Sequence, residues 1–205
     1  MSNKVHEKLD NSHRKTNYNR TTNYNRETDY NNSLKDNYYD SISKGYEELH
    51  KEEQLNKINI IKQHINIKPN SKILDLGCGP YFSEWHKDKH NKNLNCEVTG
   101  LDPSNELLKL AAKKGINPVL GKAESLPFPN NYFDYVFSIT AIQNFDDVEK
   151  ALKEIKRVIK KSSEVVITIL KTSAKKEAIT NLIRKHFNIT KVIEEDKDII
   201  LFIKT

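Results

Sequence analysis

Short apolar runs alternate with amphipathic stretches from about residue 73 to the C-terminus, and this alternation most narrows the folds open to the chain. Ile73–Leu76, Glu97–Leu101, Pro118–Leu120, Asp134–Ser138 and Glu164–Leu170 read as strands, and the last (EVVITIL) is apolar enough to be central. Between them lie helical patterns. Ser104 suits the N-cap of a helix through Lys114 that stops at Gly115. Asp146 or Asp147 caps a second helix, striped by Val148, Leu152, Ile155 and Ile159. Lys175–His186 is a third, with Ile179, Leu182 and Ile183 inward. Strands that alternate with helices form a parallel sheet covered on both faces. Ile189–Ile193 and Ile199–Ile203 flank only the charged turn Glu194 to Asp198. A parallel crossover needs about a dozen residues, so this closing pair is antiparallel.

The N-terminal third differs. Residues 16–33 repeat TNYNRT, TNYNRE and TDYNNS, which carry too little apolar surface to offset chain entropy. Residues 1–36 are therefore expected to form a disordered Asn/Tyr-repeat leader, although interleaved Arg and Tyr also suit stacking on single-stranded bases. From residue 37 to 67 a helical cap is expected. Tyr39, Ile42 and Tyr46 share one face and Leu55, Ile58, Ile61 and Ile65 another, with a break near Gly45. The 205 residues suit one domain, 37–205, and the 36% apolar share is low because the leader is polar.

Charge leaves a partner open. The chain carries +6 overall, yet residues 149–191 alone hold twelve Lys/Arg against four acids, a net +8. A basic face attracts phosphates, but Lys is abundant throughout. Cys78 and Cys96 form no disulfide framework, the N-terminus lacks an apolar signal region, and no apolar run approaches the ~20 residues of a membrane span. A soluble cytoplasmic protein with no membrane association is expected.

The first strand, KILDL, opens on Gly77-Cys78-Gly79-Pro80. A glycine turn after a strand lets a ligand approach the backbone with no side chain intervening. Asp75 precedes the turn, and Asp102 ends the second strand where it can accept from both hydroxyls of a ribose. The loop GKAESLPF (121–128) follows the third strand. A nicotinamide site would need a glycine where Phe82 stands.

Taken in order, LDLGCG, GLDPS, AESLPF and YFDYVFS resemble the motifs of class I S-adenosylmethionine-dependent methyltransferases. The resemblance covers about residues 38–205, and the chain is similar to the large subgroup that includes quinone-biosynthesis methyltransferases. It implies a Rossmann-like doubly wound sheet of seven strands, mostly parallel with an antiparallel last strand, and S-adenosylmethionine as cofactor. By position it implies that Asp75 reaches the methionine amino group. Gly77, Cys78 and Gly79 pass beneath the cofactor, and Asp102 with Pro103 holds the ribose. The Ala123 amide meets the adenine with Glu124 beside it, and Ser138 and Ala141 border the methyl group. Tyr39 and Tyr46, in the leader YYDSISKGYEE, close over the site. Two positions depart from the pattern. Tyr81 stands where a third glycine is usual, and Lys122, which cannot accept a hydrogen bond, stands where an Asp often meets the adenine.

Methyl transfer from a sulfonium needs alignment above all, and a base only where the acceptor must lose a proton. The segment SITAIQNF (138–145) offers Gln143 and Asn144 to orient an acceptor and no strong base. It is similar to segments of small-subunit rRNA guanine-N7 methyltransferases and of tRNA wobble-uridine methyltransferases. RNA or a small metabolite is the expected acceptor, with a small activating protein as a further candidate partner. The alternative is a non-catalytic scaffold or activator subunit with this fold, motivated by Tyr81 and Lys122. His86, His90 and Cys96 have a spacing that can hold zinc, but in so polar a stretch (HKDKHNKN) they read as a solvated face, and no metal is expected. The run Lys156 to Lys161 reads as the solvated end of a helix.

Overall fold

The centre of the sheet is the sequence KILDL, buried on both faces after its first residue as a central parallel strand must be. The computed structural model describes residues 50–79 and 94–205. The repeat, the leader boundary at residue 37, Tyr39, Tyr46, Tyr81, His86 and His90 lie outside the described residues. Strand β1 (Lys72–Leu76) pairs in parallel with β2 (Glu97–Asp102) on one side and β4 (Phe133–Ser138) on the other. β3 (Asn117–Leu120) pairs in parallel with β2, and β5 (Ile159–Leu170) with β4. β7 (Asp198–Lys204) runs antiparallel to both β5 and β6 (Asn188–Glu194). The order is therefore β3-β2-β1-β4-β5-β7-β6, seven strands with one reversed. The chain moves outward from β1 to β3 and then returns to β4 on the far side of β1. That reversal leaves a crevice at the carboxyl ends of β1 and β4, the place where sheets of this type bind ligands.

Helices cover both faces. Helix α1 (residues 50–62) and α2 (Asn105–Lys113) bury Ile58, Ile61, Leu108 and Ala111 against one face. Helices α3 (Val148–Val158) and α4 (Lys176–His186) bury Ala151, Leu152, Ile155, Ile179 and Ile183 against the other. Both predicted caps form: Ser104 Oγ accepts from Leu107 N at 3.2 Å, and Asp147, rather than Asp146, accepts from Lys150 N at 3.0 Å. No helix among the described residues is long and apolar enough to cross a membrane.

Two local readings are corrected. Ile159 does not continue the α3 stripe. Its backbone is extended and it pairs with Phe133, so β5 starts directly where α3 stops. A left-handed residue at Ser162 (φ 59°) then carries the strand into the EVVITIL run. The run from Lys156 to Lys161 is not merely solvated either. Arg157 reaches Glu154 with two nitrogens (2.8 and 2.7 Å) and donates to the carbonyls of Phe128 (2.7 Å) and Leu126 (2.8 Å). Glu154 in turn accepts from Leu126 N at 2.8 Å. This planar fork ties α3 to the loop that follows β3, a task lysine cannot reproduce. Replacing Arg157 with Ala frees two partly buried carbonyls and a carboxylate. It is expected to cost about 2 kcal/mol, a fall of roughly 4–8 °C in Tm, measured by thermal unfolding, with Arg157→Lys recovering only part of it.

Candidate active site

At the end of β1 the chain turns through Gly77 (φ 68°) and Gly79 (φ 44°). Left-handed φ favours glycine at both, and Gly77 has a second requirement. A Cβ built there would lie 2.5 Å from the Cβ of Ala141, so the loop after β4 rests directly on the turn. The turn is anchored from β2, because Leu101 O accepts from Gly77 N (2.8 Å) and Cys78 N (3.3 Å). Cys78 points inward, and a Cβ on Gly100 would strike its sulfur at 2.7 Å. Gly100 is thus part of the site's frame. The sequence reading missed it, although a glycine inside a strand does signal a close approach.

Asp102 closes β2 and is buried. Its Oδ1 accepts from Ser104 N (2.9 Å) and its Oδ2 lies 3.4 Å from Gly79 N, so one carboxylate binds the second strand to the glycine turn. Pro103, next in line, is half-buried. Asp75 is only 2% exposed and meets no hydrogen-bond donor among the described residues. Burial, and then the nearby Asp102 charge, hold its carboxyl well above the usual carboxylate range. Burial also pushes up the Cys78 thiol, with Asp75 and Asp102 adding to the effect, which keeps it an uncharged packing group.

The loop after β3 brings Ala123 into the core beside β4. Glu124 Oε1 accepts from the amides of Asp146 (2.8 Å) and Asp147 (3.1 Å), fixing the entry to α3. Lys122 reaches Asp146 at 3.2 Å. On the neighbouring strand, Ser138 is fully buried and its hydroxyl has no hydrogen-bond partner among the described residues. Gln143 donates from Nε2 to Thr140 O at 2.7 Å, while its buried Oε1 has no partner among the described residues either. Asn144, one residue on in the 3-10 turn Ile142–Asn144, is exposed. Asp75, Cys78, Asp102, Ser138 and Gln143 therefore gather at one edge of β1, β2 and β4, as their sequence order implies.

The donor set suits the cofactor that the motifs imply. A ligand carrying an ammonium would supply the cation Asp75 lacks. Ribose hydroxyls can donate to Asp102, and the left-handed glycines leave the backbone bare of side chains. The orphaned Ser138 hydroxyl is a buried polar group that calls for a partner.

A family model for the methyltransferase domain matches residues 74–167. An uncharacterised protein of Methanocaldococcus jannaschii is 32% identical over 78% of this chain and 66% of its own length. A ubiquinone/menaquinone biosynthesis C-methyltransferase of Rickettsia bellii is 33% identical over 69% of this chain and 62% of its own length. The chain thus spans less than two thirds of the length of these relatives. Among solved structures, a Haloferax volcanii methyltransferase in complex with a methyltransferase activator superposes with a TM-score of 0.66 at 15% identity, over 81% of this chain and 96% of that one.

The buried pair of acids generates a pH signature. The native state favours protonated Asp75, so between the unfolded value of 3.8 and the raised native one it binds more protons than the unfolded chain. Asp75 therefore lowers stability as pH rises through that window. An Asp75→Asn variant should match the wild type below pH ~4 and become progressively more stable than it toward neutrality, as read by urea unfolding across a pH series without ligand. Equal stability at neutral pH would contradict this account.

Proposed function

The chain belongs to the class I S-adenosylmethionine-dependent methyltransferases, and on that premise we propose that it moves a methyl group from this cofactor to an acceptor that needs no base from the β4 segment. One observation carries the proposal: a left-handed glycine turn and two buried carboxylates meet at the switch point of the sheet. In this reading Gly77, Cys78 and Gly79 form the floor, and Asp75 takes the ammonium. Asp102 and Pro103 hold the ribose, and Ala123 and Glu124 flank the adenine. Ser138 and Ala141 border the methyl group, with Tyr39 and Tyr46 closing the site. Bound there, the sulfonium supplies an already activated methyl group, so the protein's task is alignment and exclusion of water.

Gln143 and Asn144 orient the acceptor, and Gln143 Oε1 offers a buried acceptor to an N–H or O–H of the incoming molecule. Ser138 to Phe145 contain no side chain that titrates near neutrality. An acceptor that is a lone pair or an already ionised centre, such as a ring nitrogen of an RNA base or an ionised small metabolite, needs no base from this segment. An activating protein partner, as in the Haloferax volcanii complex, is a further component of the proposal.

Calorimetry should show S-adenosylmethionine binding, and none at millimolar cofactor would end this reading. Cofactor labelled on the methyl group, incubated with total RNA and separately with a small-molecule extract, should label one pool. Binding without label in either pool, with candidate partners added, would instead favour the non-catalytic scaffold.

A further inference from the structure

A lysine sits in the core of this protein. Lys57 lies on the inward stripe of α1 with Gln54, Ile58 and Ile61, and its side chain is 0% exposed. Its ammonium donates to Glu53 Oε1 at 2.7 Å and Thr140 Oγ1 at 2.9 Å and forms an ion pair with Asp198 Oδ2 at 2.5 Å. Asp198, at the start of β7, is also fully buried. Glu53 Oε2 accepts from Lys197 at 2.7 Å, so two acids and two lysines alternate along one chain of contacts. Burying such charges is costly, and apolar residues of similar size often support a fold equally well. Stability alone does not account for the cluster.

Its contacts converge on Thr140. Besides Lys57, the Thr140 hydroxyl reaches Asp198 Oδ1 at 3.3 Å, and its amide donates to Thr168 Oγ1 at 2.7 Å. Thr140 has φ 56°, a conformation unfavourable for a β-branched residue unless the surroundings impose it. The residues on either side are those of the site. Ala141 rests on Gly77, Ser138 ends β4, and Gln143 donates to the Thr140 carbonyl.

We infer that Lys57 is a positioning residue: with Asp198 it holds Thr140 in the left-handed conformation that seats Ala141 on the glycine turn and sets Ser138 and Gln143 for the cofactor and the acceptor. The inference rests on the reading of the glycine turn as the cofactor site. It also ties α1 to that turn, so that displacement of this helix loosens the site.

The test compares the wild type with Lys57→Met and with the double variant Lys57→Met/Asp198→Leu. The single variant strands a buried carboxylate and loses stability. The double variant removes both charges and should melt close to the wild type. Despite that, in the unliganded protein its amides over residues 77–79 and 139–143 should exchange with deuterium faster than in the wild type, while those of α3 do not change. Its affinity for S-adenosylmethionine should fall about tenfold or more, the scale of one released backbone strain. Wild-type exchange over 139–143 in a stable double variant would overturn the inference, whatever the affinity. Should the double variant fail to fold, Thr140→Val keeps the Lys57–Asp198 pair and the branched side chain and replaces only the hydroxyl that links the pair to the loop. The same faster exchange is expected there, and wild-type exchange would overturn the inference. If the wild type itself binds no cofactor, the exchange result still decides the role of Lys57, and the reading of the site falls separately.

Discussion

Everything at the site depends on how closely the loop after β4 approaches the end of β1. The Cβ of Ala141 occupies the space that any side chain at residue 77 would need. That contact demands glycine at 77 for a steric reason independent of its left-handed backbone. β1 and β4 are neighbours in space but are separated in the chain by β2, α2 and β3. The contact is therefore available only after the doubly wound sheet has assembled, and the crevice is a product of topology rather than of local turn chemistry alone.

The unliganded site is electrostatically unfavourable. Asp75 and Asp102 are both buried and repel each other, and Asp75 meets no cation among the described residues. Asp102 is partly compensated by the amides of Ser104 and Gly79. Asp75 is not, and its ionisation is opposed. Such a site is electrostatically suited to a ligand that brings positive charge and hydroxyl donors, as the proposed function requires. The contrast with the Lys57–Asp198 pair is instructive: there the buried acid has its cation and holds the loop, whereas at Asp75 the missing cation is left for the ligand.

Most of the fold was legible because patterning at each level agreed. Central strands appeared as continuous apolar runs, Ser104 and Asp147 as caps, and the short charged turn as an antiparallel closure. The glycine turn, Asp75 and Asp102 were legible because their spacing around β1 and β2 follows from the strand–turn geometry. Other features were hidden for definable reasons. Ile159 fits a helical stripe and a strand equally well, and only pairing with Phe133 decides. Arg157 looked solvated because its partners, the carbonyls of Leu126 and Phe128, belong to a loop remote in sequence. Asp198 read as part of a charged turn since nothing local marks it as buried. Lys57 did leave a trace: it falls on the same helical face as Ile58 and Ile61, where a charge is out of place without a buried partner. Thr140 left none, for a left-handed threonine is imposed by contacts and not by sequence.

The central claim is that the glycine turn, the end of β2, the loop after β3 and the loop after β4 form one cofactor site. Backbone amide mapping by NMR during titration with S-adenosylhomocysteine tests it most directly. Shifts should concentrate at residues 75–79, 102–104, 121–124 and 138–143, with the β6–β7 hairpin unaffected. Saturable binding that perturbs only other regions, or no perturbation at these four segments, would contradict the account.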